Sequence, residues 1–405
     1  MRTAHEPTPE QRLFLSAFRA ALHGEQIPPQ DGELLCGALT IAVQQGLLPV
    51  VLEAVPEAHD PQRESEAIEA FRKHAVGQVL RQAAQDLDCR AIYRHLRQNG
   101  IHPVVFKGVL CSRLYPMKFH RISNDCDLYC PPEEQPAARK LLEEYGLRCQ
   151  SHDELYYEQS YRDPEERVNI EFHRTLFEAG VVAIDDMNGF FADSTDRTAE
   201  IDGWLSMSPH DHMLYLILHA FRHFVGHGVG LRQTCDVGLW AQTYGGGIDW
   251  EKLLTQCASV RADKFAAALF RISEQYLGMN LPLPDAWRDI APNPDAMLAD
   301  MLAGGVFGFQ HAYSMFGTSL TMNAVKRDHS GRLSGVWQNL FPPYKFMAER
   351  YPYLGHHPIL LPFAWCRRIF GYVRRWLTED NVSAVKGMQL SRARLKLLKQ
   401  YDIIK

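Results

Sequence analysis

The chain has 405 residues, 46% of them hydrophobic, and a formal net charge of -5 at pH 7. That length allows two or three structural units with a sizeable core, and the acidic balance excludes a protein drawn as a whole to nucleic acid or to an anionic membrane. Nine cysteines lie scattered without a C-x-x-C pair, and residues 1–9 lack the pattern of an export signal. No apolar run approaches the ~20 residues of a membrane span, so the expectation is a cytoplasmic protein with reduced thiols and no membrane span.

The opening is helical. Thr8-Pro9-Glu10-Gln11 supplies a cap, a proline at the first helical position and a glutamine three residues after the cap. A second helix is predicted over 31–45 and a long one over 65–98, stopped by Asn99-Gly100. Residues 1–100 thus read as an N-terminal helical arm. The pattern then turns β-rich at 102–106 and passes directly into Lys107-Gly108 and a helical stretch to Tyr115. A second strand is expected over 125–130, a helix over 132–145, a hairpin around Asp163-Pro164, and one more short closing strand near Leu205. This makes 101–206 a small α/β core. From the cap Ser208-Pro209-His210-Asp211 onward the chain reads as a C-terminal helical domain, 207–405, with helices near 209–224, 229–244, 250–259, 264–277, 343–350, 362–377 and 383–401. Residues 282–294 and 304–335 read as loops.

The sharpest chemical signal is Asn124-Asp125-Cys126-Asp127-Leu128. Strand side chains alternate, so Asp125 and Asp127 share a face, and two close carboxylates repel unless a hard cation lies between them. On the strand Arg167-Val168-Asn169-Ile170-Glu171-Phe172-His173, the apolar residues alternate with Asn169, Glu171 and His173, which puts Glu171 where it can join the two aspartates. It can ligate a metal there or deprotonate an attacking hydroxyl. Gly108 at a helix start, with Lys107, Ser112, Arg113 and Arg121 nearby, offers amides and positive charge to a triphosphate, although a plain strand-to-helix turn gives the same string.

The strings Val105-Phe106-Lys107-Gly108, Leu114-Tyr115-Pro116, Arg121, Asp125-Cys126-Asp127-Leu128 and Ile170-Glu171-Phe172-His173 together resemble the uncharacterised nucleotidyltransferases of the DNA-polymerase-β-like superfamily. Leu218-His219-Ala220 with Arg232 and Asp236 resembles a helical signature of that family, and Leu340-Phe341-Pro342-Pro343 a later segment. The resemblance implies an α+β fold, with a small mixed sheet flanked by N-terminal and C-terminal helical regions. It implies Asp125, Asp127 and Glu171 as catalytic carboxylates holding one or two Mg2+ ions. A nucleoside triphosphate is the implied substrate, contacted by Lys107, Gly108, Ser112, Arg113, Arg121, His173, His219, Arg232 and Asp236. The usual turn of the superfamily is Gly-Gly or Gly-Ser, whereas this chain has Lys107-Gly108-Val109. The acceptor is not named by the resemblance; a small molecule, peptide or protein is favoured over nucleic acid. The alternative is a catalytically silent nucleotide-binding or regulatory protein of the same fold.

His219 and His223, four apart on a helix, suit packing or substrate contact, and the glutamate that follows the first histidine in zinc hydrolases is missing. Arg232 and Asp236, also four apart, suit a structural ion pair. The helices bearing His219, Arg232 and Asp236 are expected to wall the cleft, with Arg222 and Arg232 offsetting its acidic cluster. Residues 364–405 carry ten Lys or Arg against three Asp or Glu, and 364–377 forms an amphipathic stripe that either packs or makes a peripheral contact.

Overall fold

The computed structural model describes residues 6–57, 66–150, 157–178, 187–226, 228–290, 292–304, 353–367 and 394–404, with Phe341, Tyr344, Met347 and Tyr351. The chain opens with α1 (Pro9–Leu22), whose Thr8 and Gln11 exchange side-chain hydrogen bonds as a capping box. Helix α2 (Gly32–Gln44) is capped by the Asp31 carboxylate and followed by the short α3 (Leu48–Leu52). The long α4 (Glu66–Gln98) buries Gln82, Asp86, Cys89, Ile92 and Leu96 at spacings of three and four, so a single face lies against the rest of the molecule.

The sheet is built from β1 (Val104–Phe106), β2 (Cys126–Tyr129), β3 (Arg148–Cys149), β4 (Glu158–Arg162), β5 (Asn169–His173), β6 (Thr198–Ile201) and β7 (Trp204–Met207). Its seven strands run in the order β3-β4-β5-β2-β1-β7-β6. At the centre, β2 is antiparallel to β1, with Asp127 opposite Phe106, and parallel to β5, with Asp127 opposite Glu171. That register decides the site, because paired positions on neighbouring strands project to the same side. Between strands lie the single turn α5 (Gly108–Cys111) and α6 (Gln135–Glu144).

The core closes with a β6–β7 hairpin and not a single strand, and β7 lies parallel to β1. Asp202 (φ 49°) and Gly203 (φ 75°) form its tip, and both positive angles suit a tight two-residue connection for which Asp-Gly is a preferred sequence. Beyond the sheet come α7 (Pro209–Gly226), α8 (Leu231–Tyr244), α9 (Trp250–Ser259), α10 (Asp263–Gln275), α11 (Asp285–Arg288) and α12 (Pro294–Gly304). Helix α11 falls in a stretch read as loop, and its buried Trp287 explains why: the indole packs edge-on against Trp250 and Phe270. Residues 305–340, most of 342–350 and 368–393, which include all but the first residue of the loop 304–335 and most of the helix 343–350 and of the basic stripe, lie outside the described residues.

The chain divides into two compact units. The first holds the N-terminal helices, the sheet and the helices through α12, except the end of α7 from Phe224, which belongs to the second. Buried Gln45 ties it together, donating to the Met301 carbonyl and accepting from the Leu231 amide. In the second, Met347, Leu354 and Ala364 form a small core, and Arg394 donates to the Phe224 carbonyl while stacking over the Phe224 ring. Among the described residues no helix is long and apolar enough to cross a membrane, and all nine cysteines are free.

Helix α8 sits close to α10 because Gly238 has no side chain. A Cβ there would meet Met279 Sδ at 2.5 Å and Ser273 Oγ at 2.6 Å. Alanine improves helix propensity by about 1 kcal/mol, while overpacking costs about 1–3 kcal/mol, so Gly238→Ala should be net destabilising by about 1 kcal/mol. Urea denaturation of the two proteins measures it; equal or greater stability in the variant would contradict this packing.

Candidate active site

A cavity of about 290 Å³ opens over the β1–β2–β5 face and is walled on its other side by α7 and α8. Asp125, Asp127 and Glu171 all line it. Asp125 immediately precedes β2, and α4 sets its position: Gln82 accepts a hydrogen bond from the Ser123 amide, and Ser123 Oγ donates to Asp125 Oδ1 at 3.0 Å. Asp127 is 1% exposed, and His173 beside it is equally buried.

The centre of the cluster is a cation from the protein itself. Lys107 Nζ donates to Asp127 Oδ1 at 2.6 Å and lies 4.0 Å from Glu171 Oε2, with the ring centroids of Phe106 and Tyr215 at 5.7 and 5.8 Å. His173 Nε2 contacts the same Asp127 oxygen at 2.9 Å. Burial by itself would raise the Asp127 pKa, but Lys107 and then His173 outweigh it and bring the group down to about 2. Glu171 goes the other way: burial first, then Asp125 and Asp127, push it up to about 10, so it holds a proton at neutral pH in the absence of a further cation. Burial would lower the Lys107 pKa, yet the pull of Asp127, Tyr215, Glu171 and Asp125 leaves it well above its usual value.

Asp127, Glu171 and His173 each offer a ligand atom within 4.8 Å of the others. Asp127 Oδ2 and His173 Nδ1 are buried without a hydrogen-bond partner. An orphaned carboxylate oxygen beside a protonated carboxyl fits a divalent cation, because such a ligand would satisfy the one and ionise the other.

Lys107 reaches this position through an unusual backbone (φ 55°, ψ −124°), a conformation that costs about 1–3 kcal/mol for a residue with a side chain. His212, at the start of α7, holds it there: its Nε2 accepts from the Lys107 amide at 3.0 Å, and its ring stands edge-on to Trp240. Gly108 next to it has a packing role. A Cβ would lie 2.2 Å from Ser123 Oγ and 2.9 Å from an Arg121 nitrogen.

Of the residues singled out from sequence, Lys107, Gly108, Arg121, His173, His219, Arg232 and Asp236 join the three carboxylates around the cavity. Ser112 and Arg113 do not. Ser112 Oγ donates back to the Val109 carbonyl, while Arg113 turns toward the β7 side to pair with Asp86 and Asp202, its guanidinium over the Trp204 ring. The pair Arg232–Asp236 is also not formed. Asp236 instead takes Arg121 in two contacts, at 2.6 and 3.3 Å, and the Tyr115 hydroxyl at 3.0 Å, while Arg232 donates to the Ile122 carbonyl. Helical spacing made the intrahelical pair available, but the Arg121 fork arriving from the loop before β2 satisfies both carboxylate oxygens at once. His219 and His223 contact each other through their Nε2 atoms at 3.1 Å.

The cleft also contains residues the strings did not flag: Ser123, Tyr157, Glu158, Tyr215 and Gln233. Tyr215 lies four residues before His219 and Gln233 three before Asp236, so a helical-face projection would have found them. Glu158 needs the hairpin register, which places it opposite His173.

Residues 37–278, more than half of the chain, match the model of a family described as an uncharacterised nucleotidyltransferase. The chain belongs to that family. No curated protein and no solved structure matches it. The family span takes in the entire sheet and every residue that lines the cleft.

Burial pushes the His212 pKa down to about 3, against a value near 6.5 in the unfolded chain. Between those values the unfolded state takes up a proton that the folded state refuses, so this group's contribution to stability is complete above about pH 6.5 and falls as pH drops toward 3. His212→Gln keeps an acceptor for the Lys107 amide without titrating. Its unfolding free energy should fall less steeply between about pH 6 and 4, by up to ~1.4 kcal/mol per pH unit, in a urea denaturation series. Identical slopes would show that His212 is not the group responsible.

Proposed function

We propose that this cleft transfers the nucleoside monophosphate of a nucleoside triphosphate to an acceptor, assisted by a divalent cation, with Mg2+ the first candidate. The observation that carries the reading is the parallel β2–β5 register: it sets Asp127 beside Glu171, with Asp125 on the same cavity, and leaves Asp127 Oδ2 unpartnered. Asp125, Asp127 and Glu171 would hold the cation, with His173 orienting Asp127 through its 2.9 Å contact. When bound, such a cation neutralises charge on the reacting phosphate and the leaving oxygens. The acceptor's nucleophilic atom bonds to the α-phosphorus, the bond from that phosphorus to the pyrophosphate oxygen breaks, and the acceptor's proton leaves to water. Tyr215, Leu216 and Leu176 supply apolar lining that limits competing hydrolysis.

A second reading has its own observation. Lys107 already supplies positive charge to the carboxylates, an arrangement that also suits a protein that binds nucleotide without turning it over. Turnover separates the two. Asp125→Asn should lower transfer of label from an α-labelled nucleoside triphosphate by about 100-fold or more while retaining the circular dichroism spectrum, and chelation should abolish transfer in the parent protein. Full activity in Asp125→Asn would exclude the carboxylate assignment; nucleotide binding with no transfer to any host-lysate component would favour the silent reading.

Lys107→Met tests the exchange of one cation for another. Loss of the buried ammonium should cost about 3–5 kcal/mol without added metal, and Mn2+ or Mg2+ should raise the melting temperature more in the variant than in the parent. A variant as stable as the parent, or one indifferent to metal, would show that Lys107 does not occupy cation space.

A further inference from the structure

Several arginines of this fold are neutralised by a carboxylate. Arg90, Arg113, Arg121, Arg197 and Arg288 each have a carboxylate within ion-pair distance. Two that line the cleft do not. Among the described residues, Arg222 on α7 has the phenol of Tyr157 as its partner, donating to the hydroxyl at 2.8 Å with its guanidinium carbon 5.0 Å from the ring centroid. Among the same residues, Arg232 on α8 donates to the Ile122 carbonyl at 2.8 Å, and its Nε is buried without a partner. The nearest acid to Arg232 in sequence terms, Asp236, is already taken by both contacts from Arg121.

An unpaired guanidinium out of bulk water is unfavourable, and burial followed by repulsion from Arg121 lowers the Arg232 pKa to about 10. Among the described residues both side chains have N–H groups to spare, since a guanidinium carries five and each makes one hydrogen bond. Both are also fixed in place, Arg222 by stacking and a hydrogen bond on Tyr157 and Arg232 by a backbone carbonyl, so little side-chain freedom remains to be lost on binding. The opposite wall carries Asp125, Asp127, Glu158 and Glu171, whose one ammonium, Lys107, is already held by Asp127, so the donors left for an anion lie on α7 and α8.

We infer that Arg222 and Arg232 form a clamp for a polyphosphate, receiving the two terminal phosphates of a nucleoside triphosphate on the helical wall while its α-phosphate faces the carboxylates. The inference deepens the transferase reading and rests on it for the nucleotide, but the clamp itself is a statement about phosphate chains. Gly108 and Arg113 contribute differently: the first is packed against Ser123 and the second is ion-paired outside the cleft.

The test titrates the full chain with inorganic tripolyphosphate, with ATP and with adenosine by calorimetry, each in chelator and in Mg2+. Arg222→Gln and Arg232→Gln should each weaken tripolyphosphate and ATP by about ten-fold or more and leave adenosine unchanged, since the charge-assisted bonds to phosphate are lost. Arg232→Lys, which keeps the charge but not the fork, should lose less than Arg232→Gln and guards against a folding defect. Arg97→Gln on the exposed end of α4 should change nothing. The clamp is overturned if the parent protein fails to bind tripolyphosphate, if both glutamine variants bind it as the parent does, or if adenosine weakens in step with ATP. Arginine-dependent tripolyphosphate binding without any nucleotide transfer would leave the clamp standing and remove the transferase reading. Transfer with no such dependence would do the reverse.

Discussion

The contact between Lys107 and Asp127 is the constraint around which this molecule is arranged. Asp125, Asp127 and Glu171 converge on one cavity, and bare carboxylates at such spacing raise one another's pKa until some stay protonated. A 2.6 Å ammonium partner keeps Asp127 ionised, and it does so from within the chain. Placing that ammonium requires a strained backbone at the end of β1, which in turn requires an acceptor for the Lys107 amide, supplied by His212 on a helix more than a hundred residues later. Sheet and helical wall are therefore coupled through one peptide unit. The strain sits where the proposed chemistry is, as conformations that must be held by their surroundings commonly do.

The cleft is polarised by the same logic. Its sheet wall is acidic, and its helical wall carries His219, Arg222, His223 and Arg232. Asp236 cancels Arg121 and thereby separates two kinds of arginine, one locked into a buried ion pair that fixes the loop before β2, the others left with unused donors. A net charge of -5 conceals this division, because the two walls nearly offset each other in any sum over the chain. Selection among anions would come from the spatial separation of the walls and not from the overall charge.

The N-terminal helices contribute more to the site than a flanking role suggests. Gln82 on α4 holds Ser123, which holds Asp125; Asp86 on the same helix draws Arg113 away from the cleft. Gln45, beyond the end of α2, secures the first residue of α8, the helix that carries Arg232 and Asp236. Family membership from residue 37 onward agrees with this dependence, since a matched region confined to the sheet would omit the residues that orient it.

The sequence by itself determined the local periods and therefore the residues that share a face. Alternation along 125–127 and 169–173 is fixed by strand geometry, and the capping box at Thr8, the stop at Gly100 and the spacing of His219 and His223 by helix geometry, so these were legible without any tertiary contact. The Asp202-Gly203 turn was equally local, and the hairpin it makes was there to be read. What only the tertiary structure decided was partner choice. Arg113 and Arg121 are both basic residues close to Gly108, yet one pairs with Asp86 and Asp202 outside the cleft and the other with Asp236 inside it. The same holds for Arg232, whose helical neighbour Asp236 was claimed by Arg121, and for Lys107, which lies among the carboxylates. The physical reason is that a period names the side of an element a residue occupies, whereas an ion pair depends on which charges from distant segments arrive at that side with the better hydrogen-bond geometry and the lower solvent exposure.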